Sequence, residues 1–139
     1  MAELIVQAKD ESLESVNQFI HAQLDGIDYP PTLDFQLDLA VEEIFVNIAH
    51  YAYAPNTGDA EIVCTVEKNE KNQPVLTIIF KDKGIPFNPL ARPDPDPSAS
   101  LEDRGIGGWG IYLTKKYMDT VTYAHVDGKN NLTLTKTIV

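Results

Sequence analysis

The chain has one cysteine, one tryptophan and two methionines, and only 11 Lys and Arg against 21 Asp and Glu in 139 residues, a formal net charge of −10. Each scarcity excludes something. The lone Cys64 has no partner for an internal disulfide. It lies in EIVCTVEK, where Ile62, Cys64 and Val66 alternate as one strand face, so a buried, inert thiol is expected rather than a nucleophile. The shortage of basic residues removes the dense Lys/Arg face that a nucleic-acid backbone requires. It equally disfavours docking on an anionic membrane. No run approaches the roughly 20 apolar residues of a membrane helix. The opening MAELIVQAKD lacks the basic region and long apolar stretch of a secretory leader, so a cytoplasmic protein is expected. None of these exclusions touches a small anionic ligand held in a pocket.

What is present is the composition of an ordinary globular domain, 43% apolar and 23% charged. With roughly 150 residues to a domain, residues 1–139 are expected to form one. Residues 3–9 read as a strand. Asp10 then reads as an N-cap, followed by Leu13, Val16, Phe19, Ile20 and Leu24 at helical spacing, with Gly26 as the stop. A second helix starts near Pro31 or Thr32 and carries the apolar stripe Leu33, Leu37, Val41, Ile44, Ile48 and Ala52. Strands near 60–67 and 75–82 are joined by the polar KNEKNQ loop.

Residues 86–97 hold Pro86, Pro89, Pro93, Pro95 and Pro97, which remove backbone donors and block both helix and sheet. Gly105, Gly107, Gly108 and Gly110 follow closely. A loop this long in a small domain is usually functional or mobile. A helix resumes near Trp109 and runs through Ile111, Leu113, Tyr117 and Met118. Strands at about 120–126 and 131–138 meet at an Asp127-Gly128 turn. The order β-α-α-β-β-loop-α-β-β predicts a two-layer α/β sandwich, with a mixed or antiparallel sheet and its helices on one face.

Three segments carry chemistry, each open to two readings alone. Glu43 and Asn47 are four residues apart, hence on one helix face. They are either a solvated helix edge or a pair in which Asn gives a neutral oxygen to Mg²⁺ while Glu handles a hydroxyl or water. Asp82, at a strand end before Gly84, is either turn chemistry or a carboxylate that reads an amino group. RGIGGWGIYL contains Gly105, Gly107 and Gly110 in G-x-G-x-x-G spacing, but it follows a proline-rich loop rather than a core strand. It is either a hinge or a helix start whose N–H groups bind phosphate. No P-loop and no eukaryotic-type kinase loops occur. His21, His50 and His125 lack metal-ligand spacing and read as structural residues. Trp109 reads as a packing anchor for the loop.

Taken in order, the segments resemble the three boxes of the histidine-kinase-like ATPases (the gyrase, Hsp90 and histidine-kinase superfamily, with its Bergerat-type sandwich). Glu43-Ile-Phe-Val-Asn47, with Ala52-Tyr53 beyond, is similar to the N-box. Asp82-Lys-Gly84-Ile-Pro86-Phe87 is similar to the D-x-G-x-x-F box, and Gly107-Gly108-Trp109-Gly110-Ile111-Tyr112-Leu113 to the third. The likeness is strongest to the stand-alone anti-sigma factor serine/threonine kinases of bacterial partner switching, and it spans residues 3 to 138.

That resemblance implies a set of roles. ATP and Mg²⁺ are the expected cofactors. Asn47 is the Mg²⁺ ligand, and Glu43 the general base on a partner's serine or threonine. Asp82 reads adenine, with Gly84 beneath the ring and Phe87 in the same box. Gly105, Gly107, Gly108 and Gly110 hold the phosphates within an ATP lid at about 86–108. Expected partners are a STAS-domain anti-sigma antagonist, a sigma factor or another regulator. Such kinases are often dimers, so a homodimer is expected as well. The alternative is a nucleotide-gated binding module of the same fold that transfers no phosphate. The chain departs from the family at Tyr51, where a His is usual, and at Ile85-Pro86, where a second glycine is usual. Its lid is rich in proline and acid: Asp94, Asp96, Glu102 and Asp103 against Arg92 and Arg104.

Overall fold

The computed structural model describes residues 1–91 and 109–139. Five strands form one sheet in the order β1-β2-β3-β5-β4. They are β1 (Ala2–Gln7), β2 (Asp59–Lys68), β3 (Pro74–Asp82), β4 (Thr120–Val126) and β5 (Lys129–Thr137). Of the two options open from sequence, the sheet is antiparallel at every pairing. The reason is topological: β5 folds back through the Asp127-Gly128 hairpin and inserts between β3 and β4, the two strands that would otherwise have met in parallel.

Register fixes which side chains face the helices. Ile62 lies opposite Phe80 and Phe80 opposite Leu132; Cys64 lies opposite Ile78 and Ile78 opposite Leu134. All six are buried, in one cluster with Val16 and Ile20 of α1 (Leu13–Ala22), Leu37, Val41 and Ile44 of α2 (Pro31–Asn47), and Ile111 of α3 (Trp109–Tyr117). Period-2 burial on the strands and period-3.6 burial on the helices therefore meet in one layer, each large side chain contributing about 1.5–3 kcal/mol. Cys64 is part of that layer, and burial pushes its thiol up to about 12, so it stays protonated and inert as expected.

Four local expectations change. Asp10 is not a side-chain cap: it opens a 3₁₀ turn, Asp10–Ser12, ahead of α1, and its carboxylate instead accepts from His50 Nε2 at 2.7 Å. α1 ends at Ala22, before Gly26, because residues 23–27 close as successive tight turns. The second helix does not run to Ala52 as one α-helix. It stops at Asn47 and continues as a π-helical turn, Ile48–Ala52. The wider turn leaves the Ala52 carbonyl outside the α-ladder, where it accepts from Ile85 N–H at 3.1 Å and ties the helix end to the loop after β3. Within the stretch expected to be irregular, Pro89–Ala91 forms a short 3₁₀ turn, started by Asn88 Oδ1 accepting from Leu90 N–H at 2.9 Å.

Candidate active site

The candidate residues fall in two groups, one where the C-terminal end of α2 meets the first turn of α3, the other where the π turn after α2 meets the loop after β3. Glu43 and Asn47 stand one turn apart at the end of α2, half-buried, beside Ile44, Phe45 and Ile48 of the core. Asn47 Nδ2 donates to Glu43 Oε1 at 3.1 Å. A carboxylate only accepts, so this bond fixes the orientation of the amide and leaves Asn47 Oδ1 turned away from Glu43. That neutral oxygen, without a hydrogen-bond partner among the described residues and beside a carboxylate, suits Mg²⁺, a cation that takes few protein ligands and needs no protein cage. Among the described residues no group of three or more His, Cys, Asp or Glu forms such a cage.

The Glu43 carboxylate is packed against α3. A Cβ placed on Gly110 would stand 1.9 Å from Glu43 Cδ and 2.0 Å from Oε2. Thus the acid lies on the first turn of a helix whose leading N–H groups have no intrahelical acceptors. Thr114, fully buried one turn later, donates its hydroxyl to the Gly110 carbonyl at 2.7 Å and holds that turn.

Asp82 faces inward at the end of β3 and is only 6% exposed. Its two readings prove compatible, because they use different oxygens. Oδ1 makes the turn, accepting from Gly84 N–H at 2.9 Å and from Asn130 Nδ2 at 2.9 Å. Oδ2 has no hydrogen-bond partner among the described residues and is the atom left for a ligand's amino group. Gly84 has a structural duty: a Cβ there would lie 2.2 Å from the Ala52 carbonyl oxygen. Its missing side chain is therefore required by the end of the π turn. Phe87 has a pinned backbone, its N–H donating to Asn130 Oδ1 at 3.2 Å, and a ring side chain that leaves the residue 57% exposed.

Two residues with no role expected from sequence organise this corner. Asn130 of β5 is opposite Asp82 in the sheet and 7% exposed. It uses its whole amide: Nδ2 donates to Asp82 Oδ1 and to the Ile85 carbonyl at 2.8 Å, while Oδ1 accepts from Phe87 N–H and from the Tyr123 hydroxyl. Only the register of β3 with β5 reveals it, although an Asn just past a hairpin turn on an inward strand position was a usable signal. Tyr53 is the other. Its hydroxyl donates to the Asp59 carbonyl at 2.6 Å and accepts from Lys83 N–H at 2.7 Å, clasping the start of β2 to the end of β3. Burial, with Asp82 and Asp59 nearby, raises its pKa against the opposing effect of the Lys83 N–H, so the phenol remains a donor.

His50, committed to Asp10, does not stand in for the residue at position 51; Tyr51 is 65% exposed and packs edge-on against the His50 ring. The Trp109 ring, expected to anchor the loop, meets Tyr112 of its own helix edge-on at 5.6 Å. The structure thus brings Glu43, Asn47 and Gly110 together, and Asp82, Gly84 and Phe87 together. Gly105, Gly107 and Gly108, and most of the lid expected at 86–108, lie outside the described residues.

A five-stranded sheet backed by helices, with an Asn–Glu pair whose acid meets Gly110 in the first turn of α3 and a strand-end Asp turned inward, has the architecture of the histidine-kinase-like ATPases. Residues 6–136 match the family described as the histidine kinase-like ATPase domain, and the chain belongs to it. It is 31% identical over 103 residues to the serine/threonine-protein kinase BtrW of Bordetella bronchiseptica, covering 74% of this chain and 70% of that protein. It also superposes on the crystal structure of the RsbU and RsbW domains of Rv1364c from Mycobacterium tuberculosis, with a TM-score of 0.59, over 99% of this chain. At 13% identity that likeness speaks for the fold, and this chain spans 33% of that longer one. The expected membership of the histidine-kinase-like ATPases is borne out, and the relative of 31% identity is itself a serine/threonine-protein kinase. No helix among the described residues is long and apolar enough to cross a membrane.

Proposed function

We infer that the protein is an ATP-dependent serine/threonine protein kinase of the anti-sigma-factor type, which phosphorylates or sequesters a regulatory partner in a partner-switching pathway. The observation that carries this reading is the Asn47–Glu43 pair held against the first turn of α3. A module that only senses nucleotide has no need of a carboxylate where the terminal phosphate meets its acceptor.

In this reading Asp82 Oδ2 accepts from the adenine amino group, its other oxygen being engaged by Gly84 and Asn130. The lid glycines, Gly105, Gly107 and Gly108, offer N–H groups to the phosphates. Asn47 Oδ1 is the protein ligand for Mg²⁺, which supplies the positive charge that a −10 chain lacks near a polyanion. Glu43 accepts the proton of the attacking serine or threonine hydroxyl and orients that oxygen toward the terminal phosphorus, whose bond to the bridging oxygen breaks as ADP leaves. Little covalent chemistry falls to the protein, since positioning and charge supply most of the rate. A STAS-domain antagonist, a sigma factor or another regulator is the partner, a homodimer the assembly, and the cytoplasm the setting.

The test is incubation with Mg-ATP and STAS-domain proteins, followed by mass spectrometry for phosphoserine or phosphothreonine. Glu43→Ala is expected to retain Mg-ADP binding while losing transfer by about 100-fold or more; Asn47→Ala is expected to weaken Mg-ATP binding itself. Nucleotide binding without phosphate on any partner would favour the gated module, and no melting shift with Mg-ATP or Mg-ADP would overturn both.

A further inference from the structure

The family resemblance implies for Gly110 the part of a phosphate-holding glycine. Its surroundings assign it a different duty. Helical Cα–Cβ bonds point outward and back toward the helix start. At position 110 that direction runs into the Glu43 carboxylate, whose Cδ, Oε2 and Oε1 would lie 1.9, 2.0 and 2.4 Å from a Cβ. These three nearest atoms are all the Glu43 carboxyl group, a side-chain end rather than backbone. The space a side chain would take is therefore already filled by one functional group.

The helix itself cannot easily yield to a methyl group there. The Gly110 carbonyl is bonded by Thr114, which is fully buried, and Ile111 beside it is buried as well. The one soft partner is the end of the Glu43 side chain. An added methyl would move the carboxylate and leave the backbone in place.

We propose that Gly110 is a positioning residue for Glu43: its bare Cα is the seat that, together with Asn47, holds the carboxylate on the first turn of α3. This rests on Glu43 being the base of the proposed kinase, and extends it by naming what fixes that base. Two anchors act on it from different helices. Asn47 Nδ2 restrains Oε1 from within α2, and Gly110 admits the whole carboxylate to contact with α3.

The experiment is a double-mutant cycle on the full chain with Gly110→Ala, Glu43→Ala and the pair. Alanine is the better helix former, so where no carboxylate opposes it the substitution stabilises. In the Glu43→Ala background, Gly110→Ala is expected to raise the melting temperature by about 3 °C. In the wild-type background it is expected to give no gain or a loss. Equal shifts in both backgrounds would show that the two residues do not share the space, and would overturn the proposal.

The functional arms use Mg-ADP titration and single-turnover phosphate transfer. Gly110→Ala is expected to bind Mg-ADP within about 3-fold of wild type, yet to transfer about 100-fold more slowly, with KM for ATP little changed. Adding Glu43→Ala should slow it no further. A loss of Mg-ADP affinity with additive transfer defects would return Gly110 to a phosphate-binding role. If the wild type binds Mg-ADP but transfers to no partner, the kinase reading falls by itself, and the thermal cycle still decides whether the seat exists.

Discussion

Asn130 is the residue whose replacement tests the geometry of the adenine corner most directly. Four groups depend on its amide: Asp82 Oδ1, the Ile85 carbonyl, Phe87 N–H and the Tyr123 hydroxyl. Asn130→Ala removes all four bonds. The bond to the buried carboxylate is worth about 1.5–3 kcal/mol and a neutral one about 0.5–1.5. Water can replace the partners of Ile85 and Phe87, both exposed residues. The cost then comes to about 2–4 kcal/mol, a sizeable part of the 5–15 kcal/mol typical of a domain. It should lower the urea midpoint by about 1–2 M.

Asn130→Asp sharpens the test because it keeps the shape and the acceptor oxygen while turning the donor into a second carboxylate. The donor it replaces is 2.9 Å from Asp82 Oδ1. Two full charges at that separation would repel by several kcal/mol even at an effective dielectric constant of about 20. The folded pair must therefore hold a proton, and its pKa is raised above the unfolded value of about 3.9. A raised folded pKa contributes stability that is fully present below the unfolded pKa and lost as pH rises through the folded one. Between those two values the slope approaches about −1.4 kcal/mol per pH unit. Urea melts across pH 4 to 8 should thus show Asn130→Asp losing ground to wild type as pH rises, while the deficit of Asn130→Ala stays nearly constant. An Asn130→Asp protein as stable as wild type at pH 7, or one that tracks Asn130→Ala at every pH, would refute the network.

Other elements of the site give shorter tests. Gly84→Ala sets a methyl 2.2 Å from the Ala52 carbonyl oxygen, a backbone atom that cannot step aside, and should destabilise by about 1–3 kcal/mol in thermal melts; a variant with wild-type stability would refute the close approach. Tyr53→Phe removes the clasp to Asp59 and Lys83 and should cost about 1–2 kcal/mol by urea denaturation. Because the phenol's folded pKa is raised, what it contributes should persist up to about pH 10 and vanish above it. Cys64, with its thiol pushed up to about 12, should be unreactive to a thiol-specific chromogenic disulfide at pH 8 in the native protein and react promptly in urea; prompt native reaction would contradict its burial.

Sequence legibility followed the range of the forces involved. The helices and strands were readable because their apolar periods are local, and the α2 stripe from Leu33 to Ile44 is buried as its spacing demands. The stripe misled only past Asn47, where the π turn answers to a partner outside the helix, the Ile85 N–H. Asp10 misled for the same reason: its cap geometry was overridden by His50, 40 residues away.

The site divides along that line too. Glu43 and Asn47 are legible because one helical turn joins them, and Asp82 with Gly84 because one Asx turn does. Asn130 and the Gly110–Glu43 contact are not, since they depend on which strand lies beside β3 and how α3 lies on α2. A glycine in a box invites a conformational or phosphate-binding explanation, yet at 84 and 110 the explanation is room: for a carbonyl at one, for a carboxylate at the other. Such glycines behave as contacts, and their substitution should couple to the group that fills the space and to little else.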